Sequence, residues 1–257
     1  MRTTTNAKTR AFWIGGTTVV ILLLSLYLLA EYLSTSSYIV PSFGEIFSSF
    51  RETWVFAHVG SDVLPSLYRM FSGLFLAIFI GVVLGFLVGT FRVLDNLTEP
   101  TINFLRAIPA AALLPPAMVL FGVGDFTKIS IIAFVCIWPI LLNTRDGVQS
   151  LDETMLNSAN VYGVTGLDRF VFIILPAVTP RIFAGVRVSL SIAILLLVTS
   201  EMVASTNGIG YFVFLAQQQF AVADMWAGVI LLSLLGFTFN FALQKLERRT
   251  LRWHLAS

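Results

Sequence analysis

The sequence is short of charge. Only 12% of its residues are Asp, Glu, Lys or Arg, about half of the ~25% usual in soluble domains. A soluble fold of this length could not keep enough polar surface, and 57% of the residues are apolar. A soluble fold is therefore excluded, and the chain reads as a polytopic all-α membrane protein. Cysteine is nearly absent. The single Cys136 rules out a disulfide within the chain, and inside an apolar run it reads as packing. The two histidines, His58 and His254, are isolated and read as surface residues, and no Cys/His cluster forms a metal site. There is no G-x-x-x-x-G-K-[ST] to hold ATP phosphates, and no G-x-S-x-G nucleophile signature. A membrane-embedded enzyme would need a catalytic cluster, and none is visible. Ion-coupled transport usually leaves carboxylates within the spans. Here only Glu201 stands out, near the end of a span. It reads either as reaching the membrane interface or as serving a gate or solute passage.

Long apolar runs, by contrast, are plentiful. A spanning helix needs about 20 apolar residues. Candidate spans are 11–32, 68–91, 103–122, 127–144, 182–204 and 225–244. The first follows a basic tail, 1–10, and no A-x-A-like site follows it, so a retained span is expected rather than a signal peptide. Residues 11–257 then form one transmembrane domain of about six helices.

Lys and Arg set the orientation. With the N-terminus inside, the inner segments hold Arg2, Lys8, Arg10, Arg92, Arg106, Arg145, Arg169, Arg181, Arg187, Lys245, Arg248, Arg249 and Arg252, which is 13 residues. The outer segments hold only Arg51, Arg69 and Lys128. Both termini are expected in the cytoplasm, with a loop at about 145–181.

Gly81, Gly85 and Gly89 recur every four residues, with Gly73 two steps earlier. This smooth stripe suits close helix packing, with a dimer seam or pathway lining as alternatives. Pro109, Pro115 and Pro116 fall in the third span and Pro139 in the fourth, where proline kinks or breaks a helix. Residues 41–57 suggest an interfacial helix on the outer face. Residues 205–224 suggest a short helix dipping at that face. Polar pathway candidates are Asn143, Thr199, Ser200, Glu201 and Gln217–Gln219, though most such groups satisfy neighbouring backbone. No dense arginine cluster within the spans announces a small oxyanion.

One polar segment interrupts the oil, LDETMLNSANVYGVTGLDRFVFIILP at 151–176. Ser150 and Glu153 have capping-box spacing, a helix can run over about 151–162, and Gly163 suits its C′ position. Met155, Ala159 and Tyr162 share a face. Thr165 and Asp168 form a second cap-like pair, and Pro176 and Pro180 are expected to break the chain before the next span. From these residues alone, a helix lying on its own protein and a knob offered to a partner are equally open.

The segment resembles the cytoplasmic loop of bacterial ABC-importer permeases, whose pattern is E-A-A, three residues, Gly, nine residues, then I-x-L-P. Asn157-Ser158-Ala159 take the E-A-A place, Gly163 is in register, and Ile173-Ile174-Leu175-Pro176 completes the pattern. Asn157 and Ser158 depart from the usual Glu and Ala, which removes any salt contact from that place. Residues 106–144, 200–236 and 246–253 are similar to the nitrate/sulfonate/taurine/bicarbonate group of these permeases.

The resemblance implies a type I importer permease fold in a bacterial inner membrane, present as a homodimer. It implies a coupling helix docked on a separate ATP-hydrolysing subunit, two copies per transporter, through Met155, Asn157, Ser158, Ala159, Val161, Tyr162 and Gly163, with Ile173, Leu175 and Pro176 ending the loop. Arg169 and Asp168 either pair with that subunit or are solvated. ATP and magnesium then belong to the partner, and this chain binds no cofactor. An external solute-binding protein and membrane lipid complete the expected partners, with no nucleic acid. The implied solute is small and anionic, although an aromatic or pyrimidine-like compound is a further alternative. An ion-coupled secondary transporter is the rival reading.

Overall fold

A computed structural model describes residues 41–251 together with Thr17, Ile21 and Ser25. The 11–32 span, the 1–10 tail and His254 otherwise lie outside the described residues. Among the described residues the secondary structure is entirely helical. Four stretches are long and apolar enough to cross a membrane: Val59–Thr90, Asp125–Gln149, Gly166–Val203 and Val222–Thr250. Their helices are labelled here in chain order. α1 is Phe43–Phe50, α2 Leu64–Thr90, α3 Arg92–Ala107, α4 Leu114–Phe121 and α5 Asp125–Gln149. α6 is Glu153–Val161, α7 Leu175–Ala204, α8 Ile209–Gln218 and α9 Val222–Thr250.

The glycine stripe explains the centre of the bundle. A Cβ on Gly73 would lie 2.8 Å from Ile132, on Gly81 3.0 Å from Ile140, on Gly85 2.6 Å from Thr144, and on Gly89 2.8 Å from Val148. Each pair is 59 residues apart (132 minus 73, 148 minus 89), so α2 and α5 run parallel in fixed register. The stripe is thus spent on packing within the chain, where small residues let backbones approach. Gly85→Val should lower the denaturation midpoint of the detergent-solubilised protein by about 1–3 kcal/mol equivalent, the usual cost of overpacking. A wild-type midpoint would contradict this packing.

Parallel neighbours need a connection that recrosses the membrane. α3 and α4 supply it. α3 begins beside the C-terminal end of α5, where Asp95 accepts from Arg145 Nη2 at 2.9 Å and Gln149 Nε2 at 2.8 Å. Ala110 packs on the central core, and α4 ends with Phe121 against Phe126 at the start of α5. The 103–122 span, where proline is expected to kink or break the helix, is a broken one, bent by 87° between Arg92–Ala107 and Ala110–Phe121. Ile108 precedes Pro109, which favours extended backbone, and both residues are extended. Pro115 and Pro116 do not kink α4. They stand in its first turn, where proline is tolerated.

α7 returns antiparallel to α5. The Cα of Ile140 and the carbonyl of Pro139 would both lie 2.9 Å from a Cβ on Gly185. Cys136 and Ser189 exchange hydrogen bonds with each other's backbone, at 3.3 and 2.8 Å. Pro176 and Pro180 do not break the chain as expected, because Gly166–Val203 is one continuous helical stretch. Phe170–Ile174 winds more widely, which makes room for Pro176 in the first turn of α7. Among the described spans α9 is the least buried, with Phe237 and Phe241 stacked and exposed. The 41–57 segment is helical, with a complete Ser42–Glu45 capping box. It does not merely lie at an interface, because Trp54 is buried in a cluster with Val63, Ile209 and Ala227. The short helix expected in 205–224 is α8.

Candidate functional site

Two polar constructions sit at opposite ends of the bundle. At the loop end, where α5 stops, Ser150 does not begin the next helix. It closes α5, its hydroxyl donating to the Gly147 carbonyl at 3.0 Å, so the Ser150–Glu153 capping box is corrected. Asp152 is the N-cap of α6, accepting from the Thr154 N–H at 2.7 Å. Because α5 continues to Gln149, Ser150 is consumed by its last turn.

The far end of α6 follows the sequence. Gly163 has φ +73°. The Gly163 N–H donates to Asn160 at 3.0 Å and the Val164 N–H to Ala159 at 2.9 Å. These two bonds form a Schellman ending, which needs a left-handed residue at Gly163. Thr165, by contrast, makes no side-chain cap bond, so the second cap-like pair is not formed. Arg169 reaches back instead, donating from Nη1 to Asn160 Oδ1 at 3.1 Å.

The expected contact residues divide between two faces. Ala159 is buried, and Met155, Ala159 and Tyr162 line an open groove of about 560 Å³ with Phe172, Ile173 and Pro176. Ala159 and the half-buried Met155 thus turn towards their own chain, whereas Tyr162 lines the groove and stays exposed. Asn157, Ser158 and Gly163 are exposed, and Val161 and Tyr162 are 85% and 84% exposed. Leu175 opens α7, its carbonyl accepting from Thr179 Oγ1 at 2.6 Å.

The pathway candidates satisfy local backbone. Asn143 donates to Pro139 at 2.8 Å, Ser200 to Leu197 at 3.0 Å and Thr199 to Leu195 at 2.8 Å. Ser200 is fully buried, while Gln217–Gln219 are exposed.

Glu201 is different. Its side chain is 0% exposed. Its carboxylate accepts from Ser66 Oγ at 2.8 Å, Arg69 Nη1 at 2.7 Å and the Gly210 N–H at 2.9 Å. The Ile209 N–H donates to Ser66 at 3.0 Å, and the Gly208 N–H to Asp62 at 2.7 Å. The orphan donors at the start of α8 are thus met by side chains from α7 and from the start of the Val59–Thr90 span. Gly208 has φ +118°, and a Cβ there would meet Glu201 at 2.4 Å. Arg69 ties the group together, donating from Nε to Asp125 at 2.7 Å and from Nη2 to Asn207 at 2.6 Å. Sequence reasoning placed Arg69 in an outer segment. Its one available signal was an arginine five residues inside a long apolar helix, which demands a partner.

The comparisons agree with this architecture. One chain of the MetNI methionine ABC transporter, solved in inward facing conformations, superimposes with a TM-score of 0.62 over 73% of this chain and 94% of that one. At 19% identity this likeness is one of fold, the type I ABC permease fold. A probable ABC transporter permease protein of Brucella melitensis is 33% identical over 192 residues, 75% of this chain and 78% of the relative. The bicarbonate transport system permease protein CmpB of Synechococcus elongatus is 34% identical over 74% of this chain and 69% of its own length. The taurine transport system permease protein TauC of Escherichia coli is 29% identical over 77% of this chain and 72% of its own length. Residues 77–252, more than half of the chain, match the model of one family. The chain belongs to the binding-protein-dependent transport system inner membrane component family, the permeases of ABC importers.

Proposed function

We propose that α6 is the point at which a separate ATP-hydrolysing subunit moves this permease. The carrying observation is the exposed apolar pair Val161 and Tyr162 on a helix held at both ends. Apolar side chains left in solvent mark partner surfaces, and a short helix laid in a groove is a common mode of recognition. ATP and magnesium sit on the partner, and the energy for transport enters through its differential grip on two permease states. In this reading the loop end and both termini face the cytoplasm, and the α8 end faces outward towards a solute-binding protein. A rival ion-coupled mechanism is disfavoured by membership in a binding-protein-dependent family.

Two copies of the chain form the pathway. The extended Ile108–Pro109 link lies midway along the return, and Pro109, Ala111 and Ala112 are exposed on a single chain. Non-helical backbone at membrane depth is tolerated only against protein or a water-filled cavity. The solute in this reading carries an oxyanion, as taurine and bicarbonate do for the two named relatives.

Cross-linking tests the docking. Cys136 is 0% exposed, so Tyr162→Cys introduces the reactive thiol. A reagent with one maleimide and one photoactivatable end should join that position to the co-expressed ATPase subunit, with the yield changing when ATP is trapped. A Tyr162→Cys protein that labels freely yet never joins the ATPase subunit refutes the docking.

A further inference from the structure

We propose that the α8 end of the bundle holds an oxyanion-binding site built on Lys128 and Arg69 and occupied, in the absence of solute, by Asp125. It rests on the reading above that the solute is anionic and enters at that end.

Lys128 is 3% exposed. An ammonium carries three donors, yet the Lys128 Nζ makes one long hydrogen bond, to the Gly124 carbonyl at 3.5 Å. Among the described residues no carboxylate pairs with it within ion-pair distance. A buried charge with unfilled donors is costly, and an anion beside it would fill them. The 59-residue register of α2 and α5 sets Lys128 opposite Arg69, and two cations therefore face each other.

The guanidinium of Arg69 is already committed. Nη1 bonds Glu201 at 2.7 Å and the Asn207 carbonyl at 3.1 Å, and Nη2 bonds the Asn207 side chain at 2.6 Å. Glu201 and Asn207 are held within the fold. Asp125 is the exception, because its side chain is 50% exposed against 0% for Glu201, and it takes only Nε. A solvent-side carboxylate on Arg69, beside an unfilled ammonium, occupies the place an external oxyanion would take. An arriving sulfonate or carboxylate would accept from Arg69 Nε and Lys128 Nζ while Asp125 turns out to water. Two cations would then balance Glu201 and the solute.

Saturation-transfer NMR with methanesulfonate tests this on the permease–ATPase assembly in nanodiscs, without the binding protein. Dimethyl sulfone, a neutral analogue of similar size, is the control. The methanesulfonate methyl signal should appear in wild type and persist in Lys128→Arg. It should fall about 10-fold in Lys128→Met, the value of a hydrogen bond to a charged group. It should rise in Asp125→Asn, which removes the competing anion, and dimethyl sulfone should give none. Equal signals in wild type and Lys128→Met overturn the site. So does weaker binding in Asp125→Asn, the sign expected of a purely structural bridge, and that variant carries the test if Lys128→Met does not assemble. If the intact transporter takes up methanesulfonate while Lys128→Met binds normally, the site alone fails. If it takes up no methanesulfonate, taurine or bicarbonate, the anionic reading fails and the site with it.

Discussion

Gly163→Pro is expected to abolish solute uptake while the protein still inserts in the membrane. The backbone at Gly163 has φ +73°, and its N–H donates to Asn160 at 3.0 Å. Proline offers neither, because its ring holds φ near −65° and it carries no N–H. Losing this ending leaves the last carbonyls of α6 unpaired and redirects the chain after it. The transmembrane packing contacts lie elsewhere, and a Cβ at 163 meets nothing within 4 Å. The damage is therefore conformational and confined to the loop. Reconstituted transporter should hydrolyse ATP at a rate that no longer follows solute supply. Gly163→Asn is the control, since asparagine tolerates the left-handed region, and it should keep most uptake. Full uptake by Gly163→Pro would remove α6 from the mechanism.

Glu201→Leu should be the most destabilising single change at the other end. It leaves Arg69 with only the half-exposed Asp125 as an ion-pair partner, and it strips the acceptor from Ser66 and the Gly210 N–H. Breaking a buried pair by removing one partner costs about 3–5 kcal/mol, read as a lower denaturation midpoint in detergent. The double variant Arg69→Met/Glu201→Leu should lose less than the two single losses added, because neither charge is then stranded. Strict additivity would mean the two groups are not energetically paired.

The loop was readable because its determinants are local. Gly163 and the Ile173–Pro176 end lie within 14 residues, and a helix ending is decided by its own backbone; the exposed Val161–Tyr162 pair was not legible, because spacing grouped Tyr162 with Met155 and the buried Ala159. The glycine stripe was legible as a packing surface, but not its partner. Local pattern also misled where two adjacent elements competed for one residue. Ser150 has the right spacing from Glu153, yet α5 claims it. Pro109 was legible as a kink or break in the 103–122 span, but hydropathy records apolar content and not direction, so the 87° bend was not.

Composition alone established a membrane chain of several helices, since burial in lipid is a property of summed side chains. Spacing alone established the loop helix and its glycine ending at Gly163, since such turns answer to neighbours a few residues away, but not its N-cap, which is Asp152. The parallel register of α2 and α5, the broken return between them and the Arg69–Glu201–Asp125 group came from the packed bundle. Arg69 and Glu201 are 132 residues apart, and each sits alone in its own apolar run. Their pairing follows from which helices touch and at what depth, and no one-dimensional pattern carries that information.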